Sequence, residues 1–211
     1  MKNIKKMYRS VLRSGINRKN RSRLKNHDFS IICQNCTAGV IYHELNERFL
    51  TPTVNMFFKP SGFVRFCGDI ERYLDIEPVE VKNSGETFPV LALDDVWLYF
   101  NHADTFEQAL NDWNRRKGRI NFDNICFMMA ERDGCTEEDI RAFDALPYKN
   151  KVCFVSRPMP EIKSAYYIPG TERNENDEHG IESLTNYIGR FTGKRLIDGF
   201  DYVGFLNDMI E

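Results

Sequence analysis

Two adjacent aspartates and a histidine further along are the first residues of this sequence that could perform chemistry. Asp94 and Asp95 follow a short apolar run, and His102 follows the next one. Carboxylates suit Mg²⁺ and Mn²⁺ as ligands, and an imidazole can transfer a proton near neutral pH. We therefore predict a catalytic group of Asp94, Asp95 and His102, in which the aspartates hold magnesium or manganese against the diphosphate of an activated sugar. In the alternative, the aspartates form a solvated turn and His102 is a neighbouring cap.

A second candidate is the segment Asn35-Cys36-Thr37, which joins an apolar strand to an amphipathic helix. The N–H groups and the positive dipole end of a helix N-terminus attract anions. We therefore predict that these three residues contact an anionic substrate; the alternative is an ordinary helix cap. Cys36 could instead be a nucleophile with His43 as its base. Cys33 and Cys36 have the spacing of a redox pair, but Cys33 belongs to the strand, which argues against redox chemistry.

Two further sets of charged residues complete the candidate substrate site. Arg115, Arg116 and Lys117 form the last turn of an amphipathic helix and Arg119 follows it, and guanidinium groups bind phosphate oxygens in pairs. The alternative is a solvated helix end, where basic residues suit the dipole. Glu131, Arg132 and Asp133 follow the most apolar strand-like run of the chain. These three residues directly follow their predicted strand, as Asn35 to Thr37 follow the predicted strand at 30–33.

The elements that must position these residues follow from the hydrophobic pattern. Short apolar runs predict strands at residues 30–33, 53–58, 78–81, 89–93, 96–100, 124–129, 151–155 and 165–168, and apolar residues at helical spacing separate several of them. We predict an α/β fold with an open mixed or mostly parallel sheet flanked by helices. Units of strand, turn and helix begin near Phe29 and Asn124, which suggests two related halves. Parallel strands send the loops that follow them to one edge. We therefore expect Asn35, Asp94, Asp95 and Asp133 around one crevice.

Charge and composition divide the chain into a basic arm, a core and a C-terminal segment. Residues 1–27 contain ten Lys and Arg residues and no acidic residue, whereas the remaining chain is acidic. We predict a basic amphipathic arm at 1–27, an α/β core at 28–170 and a helical extension packed on the core at 171–211. One helical face of the arm collects apolar residues, namely Ile4, Met7, Tyr8, Val11 and Leu12. This pattern suits a helix docked on the acidic body or one that lies on an anionic membrane.

Other features of the sequence limit the compartment and the partners. No apolar run reaches the roughly 18 residues of a spanning helix, and no signal-peptide pattern is present. The six cysteines, of which Cys33, Cys126 and Cys153 lie in apolar strand-like runs, fit a reducing compartment. We predict a cytoplasmic protein, located at the inner face of the membrane if the arm binds lipid. Nucleic acid is not expected as a partner, because the body lacks a basic surface interleaved with aromatic residues.

Several motifs together resemble a known family. They run in order over about residues 28–168: Ser30 to Cys36 with Gly39 and Tyr42, Thr51 to Thr53, Leu93 to Val96 with Phe100 to His102, Trp113 to Asn121, Arg132 to Glu138, and Phe143 to Lys151. The chain is similar here to bacterial exopolysaccharide and capsular polysaccharide biosynthesis proteins that carry a domain of unknown function. The resemblance implies an α/β fold and a role in cell-surface polysaccharide assembly, and it supplies no catalytic mechanism. Thr37 and Ala38 stand where the family pattern has an aromatic and a small residue, so the substrate can differ.

These observations lead to two functional expectations. The first is a group or glycosyl transferase of surface-polysaccharide assembly that acts on an activated sugar or a lipid-linked glycan. The second is a non-catalytic accessory protein whose basic arm tethers the assembly machinery to the membrane. A transferase should hold the candidate residues around one polar pocket, whereas a tether should leave them scattered.

Overall fold

The computed structural model describes residues 2–172, 181–189 and 191–210, with side chains from Met7 onward. The helices are α1 (Lys2–Arg23), α2 (Thr37–Leu45), α3 (Pro60–Gly68), α4 (Ile70–Asp75), α5 (Phe106–Lys117), α6 (Glu137–Asp144) and α7 (Tyr202–Asn207). The strands are β1 (Ser30–Cys33), β2 (Val79–Glu80), β3 (Val90–Leu93), β4 (Val96–Tyr99), β5 (Ile125–Ala130), β6 (Lys151–Val155) and β7 (Ala165–Tyr167). Short 3-10 helices occur at Phe122–Asn124, Leu196–Gly199 and Asp208–Ile210.

The main sheet has four parallel strands in the order β1-β5-β6-β7. Strands β1, β5 and β6 are almost entirely buried, as expected for short apolar strands covered on both faces. Helices flank this sheet, and a smaller antiparallel sheet with the order β2-β3-β4 lies in the long connection between β1 and β5. The predicted α/β fold class, with a mostly parallel sheet flanked by helices, is confirmed.

The alternation of side chains along each parallel strand divides the core into two layers. Ile32, Phe127 and Met129 point into the layer that contains α3, α4, α5, α6 and the small sheet. Their neighbours Ile31 and Cys126 point into the layer beneath α2 and the C-terminal segment. Successive residues of a strand face opposite sides, so a single apolar run supplies both layers.

The segment 53–58, predicted as a strand, is mostly irregular in the structure. Phe57 forms an isolated antiparallel bridge with Tyr99, and the N–H of Phe58 donates to the carbonyl of Gln34 at 2.8 Å. Threonine side chains replace strand partners nearby: Thr53 Oγ1 accepts the N–H of Cys33 at 3.0 Å, and Thr51 Oγ1 accepts the N–H of Thr53 at 3.2 Å. Because these side chains satisfy the backbone, the segment needs no sheet ladder.

The C-terminal segment was predicted as mostly helical, and residues 173–180 and 190 lie outside the described residues. In its described part, helix occurs at Leu196–Gly199, Tyr202–Asn207 and Asp208–Ile210. Ahead of Leu196 the segment folds back on itself, with Tyr187 bridged to Arg195. Gly189 and Gly193 adopt φ values of 67° and 65°, a backbone conformation that glycine accommodates and a helix excludes. The end of the chain then packs into the core through Ile197, Val203 and Leu206.

Candidate functional site

Asn35 and Thr37 interact with each other at the start of α2. Oδ1 of Asn35 accepts the N–H of Thr37 at 3.0 Å and its hydroxyl at 2.6 Å. Both side chains are buried. The N-cap of α2 is Cys36, and its side chain does not cap the helix; the contact is instead a local turn before the helix, in which Asn35 occupies the two donors of Thr37 that an anion would use.

The thiols near this turn are kept protonated by burial. Burial raises the pKa of Cys33 to about 11 and also raises the pKa of Cys36. The Cys36 thiol donates to the carbonyl of Met56 at 3.7 Å. A nucleophilic cysteine needs a lowered pKa, so the environment opposes the predicted chemistry of Cys36 with His43. Both cysteines of the redox-spaced pair are free thiols.

The turn after β5 lies at the same edge of the sheet as Asn35, as predicted. The two strands are parallel and Cys33 pairs with Met128. Arg132 and Asp133 lie near enough to influence the Cys36 thiol, and they form an ion pair with each other, Nε to Oδ2 2.8 Å. Their charges are therefore largely satisfied within the turn.

A cavity of about 470 Å³ opens beyond the ends of β5 and β6. Glu131 lies in its wall, where its carboxylate accepts the N–H of Ser156 at 2.7 Å and the hydroxyl at 2.8 Å. Glu137 and Glu172 add two more carboxylates to the wall, against one guanidinium from Arg157. This excess of negative charge does not suit a phosphate-bearing substrate.

The prediction that Asp94, Asp95 and His102 form one group is wrong. Asp94 and Asp95 form the tight turn of the β3–β4 hairpin, in which Leu93 pairs with Val96. His102 follows the opposite end of β4. At about 3.4 Å per residue, the four residues of β4 separate the two ends by more than about 10 Å. The hairpin belongs to the antiparallel sheet, so these aspartates do not share the edge at which Asn35 and Asp133 lie.

The two aspartates are paired with surface arginines. Asp94 forms an ion pair with Arg72, and Asp95 pairs with Arg65 at 2.9 Å and accepts the hydroxyl of Tyr73 at 2.7 Å. The bond from Tyr73 lowers the pKa of Asp95, with Arg65 contributing. Among the described residues, no three His, Cys, Asp or Glu side chains are grouped so that they could hold a metal. The donor set does not fit the predicted Mg²⁺ or Mn²⁺ site.

Arg116 is a structural residue. It is buried, and it donates to the carbonyl of Val54 at 2.9 Å and to Asp112 at 2.7 Å. Arg119 is partly exposed, and its guanidinium lies over the ring of Phe49, 5.4 Å from the centroid. Arg116 is therefore unavailable to a phosphate, whereas Arg119 lies where a ligand could reach it.

Between α1 and α2 lies a groove of about 1290 Å³, which is larger than the cavity beside Glu131 and which we call the α1–α2 groove. Residues of α1, α2, the loops after α2 and β4, and the C-terminal segment line it. Its basic lining consists of Arg9, Arg13, Arg21, Arg48 and Arg195, together with His43 and His102. Among the described lining residues, two are acidic, namely Glu44 and Glu47.

Both carboxylates of the groove contact basic side chains. Glu44 is buried and pairs with Arg13 and Arg195, and Glu47 contacts the ring of His27 at 2.7 Å. Arg48 is exposed and has no carboxylate partner within the ranges that the structure describes. Burial, followed by the charge of nearby Arg48, lowers the pKa of Arg119. The mouth of the groove therefore carries excess positive charge near Phe49.

Sequence reasoning missed this groove, although a signal was present. Arg9, Arg13, Asn17 and Arg21 recur at every fourth position, which places them in one row on α1. All four line the groove. The prediction for the arm used only its apolar face and its total charge. It did not use the spacing of the arginines, which indicates a single polar face.

The fold and the groove define an α/β protein with a parallel four-stranded sheet and an arginine-lined groove beside the second helix. The chain belongs to the family described as domain of unknown function DUF1919, whose model matches residues 7–207. An uncharacterized protein of Haemophilus influenzae is 37% identical over 192 residues, which are 91% of this chain and 90% of that protein. The family match extends beyond the 28–168 region of the sequence motifs, so α1 from Met7 onward and the segment from Tyr187 to Arg195 lie within it.

Proposed function

We propose that this protein is a group or glycosyl transferase of surface-polysaccharide assembly that binds an activated sugar or a lipid-linked glycan in the α1–α2 groove. The observation that carries the proposal is the combination of size and charge in the groove. Its volume of about 1290 Å³ exceeds that of a typical small-molecule pocket, and among its described charged lining residues five arginines stand against two glutamates. The setting in polysaccharide assembly comes from the sequence motifs between residues 28 and 168.

The substrates in question share a sugar attached to a phosphate or diphosphate. Arg48 and Arg119 are the side chains that we assign to the phosphate oxygens. Arg48 lines the groove and is exposed, and Arg119, which is not part of the lining, lies next to it over the ring of the lining residue Phe49. Guanidinium groups form paired, charge-assisted hydrogen bonds with phosphate. Arg13 and Arg195 are assigned a structural role, because Glu44 occupies them.

The groove also supplies groups for a transfer reaction. His43 and His102 are exposed and both line it. An imidazole can take the proton from an acceptor hydroxyl while that oxygen bonds to the sugar carbon. The bond from that carbon to the phosphate oxygen breaks, and the arginines stabilise the charge on the departing phosphate. In this proposal, His102 keeps its predicted catalytic role and His43 joins it, whereas Asp94 and Asp95 have no part in the reaction.

Ligand binding to matched arginine variants tests the proposal. UDP-glucose and inorganic pyrophosphate are titrated against the wild-type chain and against Arg48→Gln/Arg119→Gln, with Arg65→Gln as the control for an exposed arginine elsewhere. Loss of charge-assisted bonds should weaken binding at least about tenfold in the groove variant and leave the control unchanged. Equal affinity of all three proteins would contradict the assignment of the groove.

The non-catalytic accessory protein is the second candidate, and the exposed apolar face of α1, described below, favours it. The two candidates differ in the histidines. If the protein is a transferase, His43→Gln or His102→Gln should reduce transfer of labelled sugar to a membrane extract while leaving UDP-glucose affinity unchanged. An accessory protein would show no transfer at all, with or without these substitutions.

A further inference from the structure

The N-terminal helix leaves part of its apolar face exposed. Met7 is 65% exposed and Val11 is 66% exposed, whereas Leu12 and Ile16 are partly buried. On the other side of α1, Arg13 is buried in its ion pair with Glu44, and Asn20 donates to the hydroxyl of Tyr202 at 2.7 Å. An amphipathic helix on a soluble domain normally buries its apolar face, so the exposure of Met7 and Val11 is unusual.

The C-terminal segment extends the apolar face of α1. The ring of Phe191 packs edge-on against Tyr8 with the centroids 6.0 Å apart, and Ile188 is exposed in the same segment. Among the described residues, nine large apolar side chains are exposed, and five of them belong to this face. We call it the apolar patch, and it comprises Met7, Tyr8, Val11, Ile188 and Phe191.

Basic residues border the apolar patch. Arg18 lies seven residues after Val11 and therefore continues the row that Met7 and Val11 begin. Lys19 follows it and Lys194 lies in the C-terminal segment; all three basic side chains are exposed. The whole stretch from residue 1 to residue 27 contains no acidic residue.

We propose that the apolar patch docks on the surface of an anionic phospholipid membrane, with α1 lying along the interface. An apolar strip bordered by Lys and Arg is the pattern of helices that rest in the headgroup region. A second copy of the chain is disfavoured as the occupant, because it would bring two helices rich in basic residues together. None of the helices in the described part of the chain combines the length and apolarity needed to cross a bilayer.

Membrane docking would place the α1–α2 groove beside the bilayer. Arg9, Arg13 and Arg21 line the groove from one side of α1, and Met7 and Val11 lie on the neighbouring side of the same helix. A ligand anchored in lipid could then reach the groove without leaving the membrane. The docking surface does not depend on the proposed transferase activity, because it is argued from the apolar patch alone.

Vesicle binding with matched variants tests the docking surface. The full chain is sedimented with phosphatidylcholine vesicles, with and without phosphatidylglycerol, at low and at high salt. Met7→Gln/Val11→Gln removes the centre of the patch and keeps good helix formers. Val79→Gln/Phe122→Gln removes two exposed apolar side chains elsewhere and serves as the control. Thermal melting establishes that each variant is folded.

We expect the wild-type protein and the control to bind anionic vesicles at low salt and to dissociate at high salt. The patch variant should partition about tenfold more weakly, because the apolar contact with lipid is lost. Equal binding by the patch variant and the control would overturn the proposal. A wild-type chain that does not bind vesicles would also overturn it. In that case, a wild-type dimer together with a monomeric patch variant would show that the patch contacts a second copy of the chain instead.

Discussion

The guanidinium of Arg13 in α1 and the carboxylate of Glu44 in α2 form a two-pronged ion pair inside the protein. Nε of Arg13 donates to Oε1 of Glu44 at 2.8 Å, and Nη2 of Arg13 donates to Oε2. Both side chains are 5% exposed. Asp198 also pairs with Arg13, and Arg195 with Glu44. This network joins α1, α2 and the C-terminal segment, which are the three parts that surround the α1–α2 groove.

Removal of the charge of Glu44 should destabilise the protein strongly. Glu44→Gln leaves Arg195 without its carboxylate and Arg13 with only Asp198. A buried charge that loses its partner typically costs about 3–5 kcal/mol, so we expect a decrease of about 3 kcal/mol in the free energy of unfolding. Urea denaturation measures it. The exposed pair of Arg72 and Asp94 gives the control, because Arg72→Gln should leave the midpoint almost unchanged. Similar small effects of both substitutions would mean that the buried network is not important for stability.

The parallel sheet could be predicted because its strands are short, apolar and buried on both faces. Strands at 30–33 and 124–129 were expected. Strand β1 has the expected bounds, and β5 begins and ends one residue later than expected. Because these strands were predicted to be parallel, Asn35 and Asp133 were expected at the same edge of the sheet. These inferences need only local pattern and the geometry of parallel strands.

The prediction for Asp94 and Asp95 was wrong because it did not consider how short the loop between the two predicted strands is. These two aspartates are the whole loop. Two residues can join only antiparallel neighbours, since a parallel connection must cross the sheet. Asp94 adopts a φ of 58°, which is typical of a tight hairpin turn. The run from Leu93 to Val96 therefore contained the evidence for a hairpin, and with it the evidence that His102 lies at the other end.

The orientation of α1 could not be predicted from its amphipathic pattern. The apolar face was the natural choice for contact with the body, yet Met7 and Val11 are exposed. The choice depends on Glu44 and Asp198, which lie 31 and 185 residues from Arg13. A tertiary network of this kind leaves no periodic signal in the sequence.

Gly193 should be required for the docking of the C-terminal segment on α1. A Cβ atom there would lie 2.6 Å from Cβ of Leu12, and the residue has a φ of 65°. Gly193→Ala should therefore lower the free energy of unfolding by about 2 kcal/mol or more, through backbone strain and a clash. Gly189→Ala provides the control, because its φ is 67° and its nearest contact would be at 3.7 Å. Chemical denaturation of both variants separates strain from the clash, and equal losses would show that contact with α1 is unimportant.

Alkaline pH should destabilise the protein through its buried thiols. Burial raises the pKa of Cys33, Cys126 and Cys153 above the ordinary value of 9.0. These groups stay protonated in the folded state while the unfolded chain loses their protons, so stability is complete below about pH 9 and falls as the pH rises further. Each thiol contributes a slope of about 1.4 kcal/mol per pH unit in that range.

Cys126→Ala tests the contribution of one thiol to this pH dependence. The variant is less stable at neutral pH because it opens a small cavity, but its stability should fall less steeply above pH 9.0. Urea denaturation over a pH series, under reducing conditions, gives both slopes. An unchanged slope would mean that this thiol ionises equally well in the folded state.

The last prediction concerns the aspartates of the β3–β4 turn. Asp94→Asn/Asp95→Asn should leave the affinity for UDP-glucose unchanged, whether or not Mg²⁺ is present. The reason is geometric: the turn is paired with Arg65 and Arg72, and neither aspartate lines the α1–α2 groove. The fold should also be retained, because an asparagine oxygen can still accept the hydroxyl of Tyr73. Calorimetric titration is the measurement, with Arg48→Gln/Arg119→Gln as the variant that is expected to lose affinity. If the aspartate variant loses a Mg²⁺-dependent part of the binding while the arginine variant retains it, the ligand binds at the hairpin and the groove is not the substrate site.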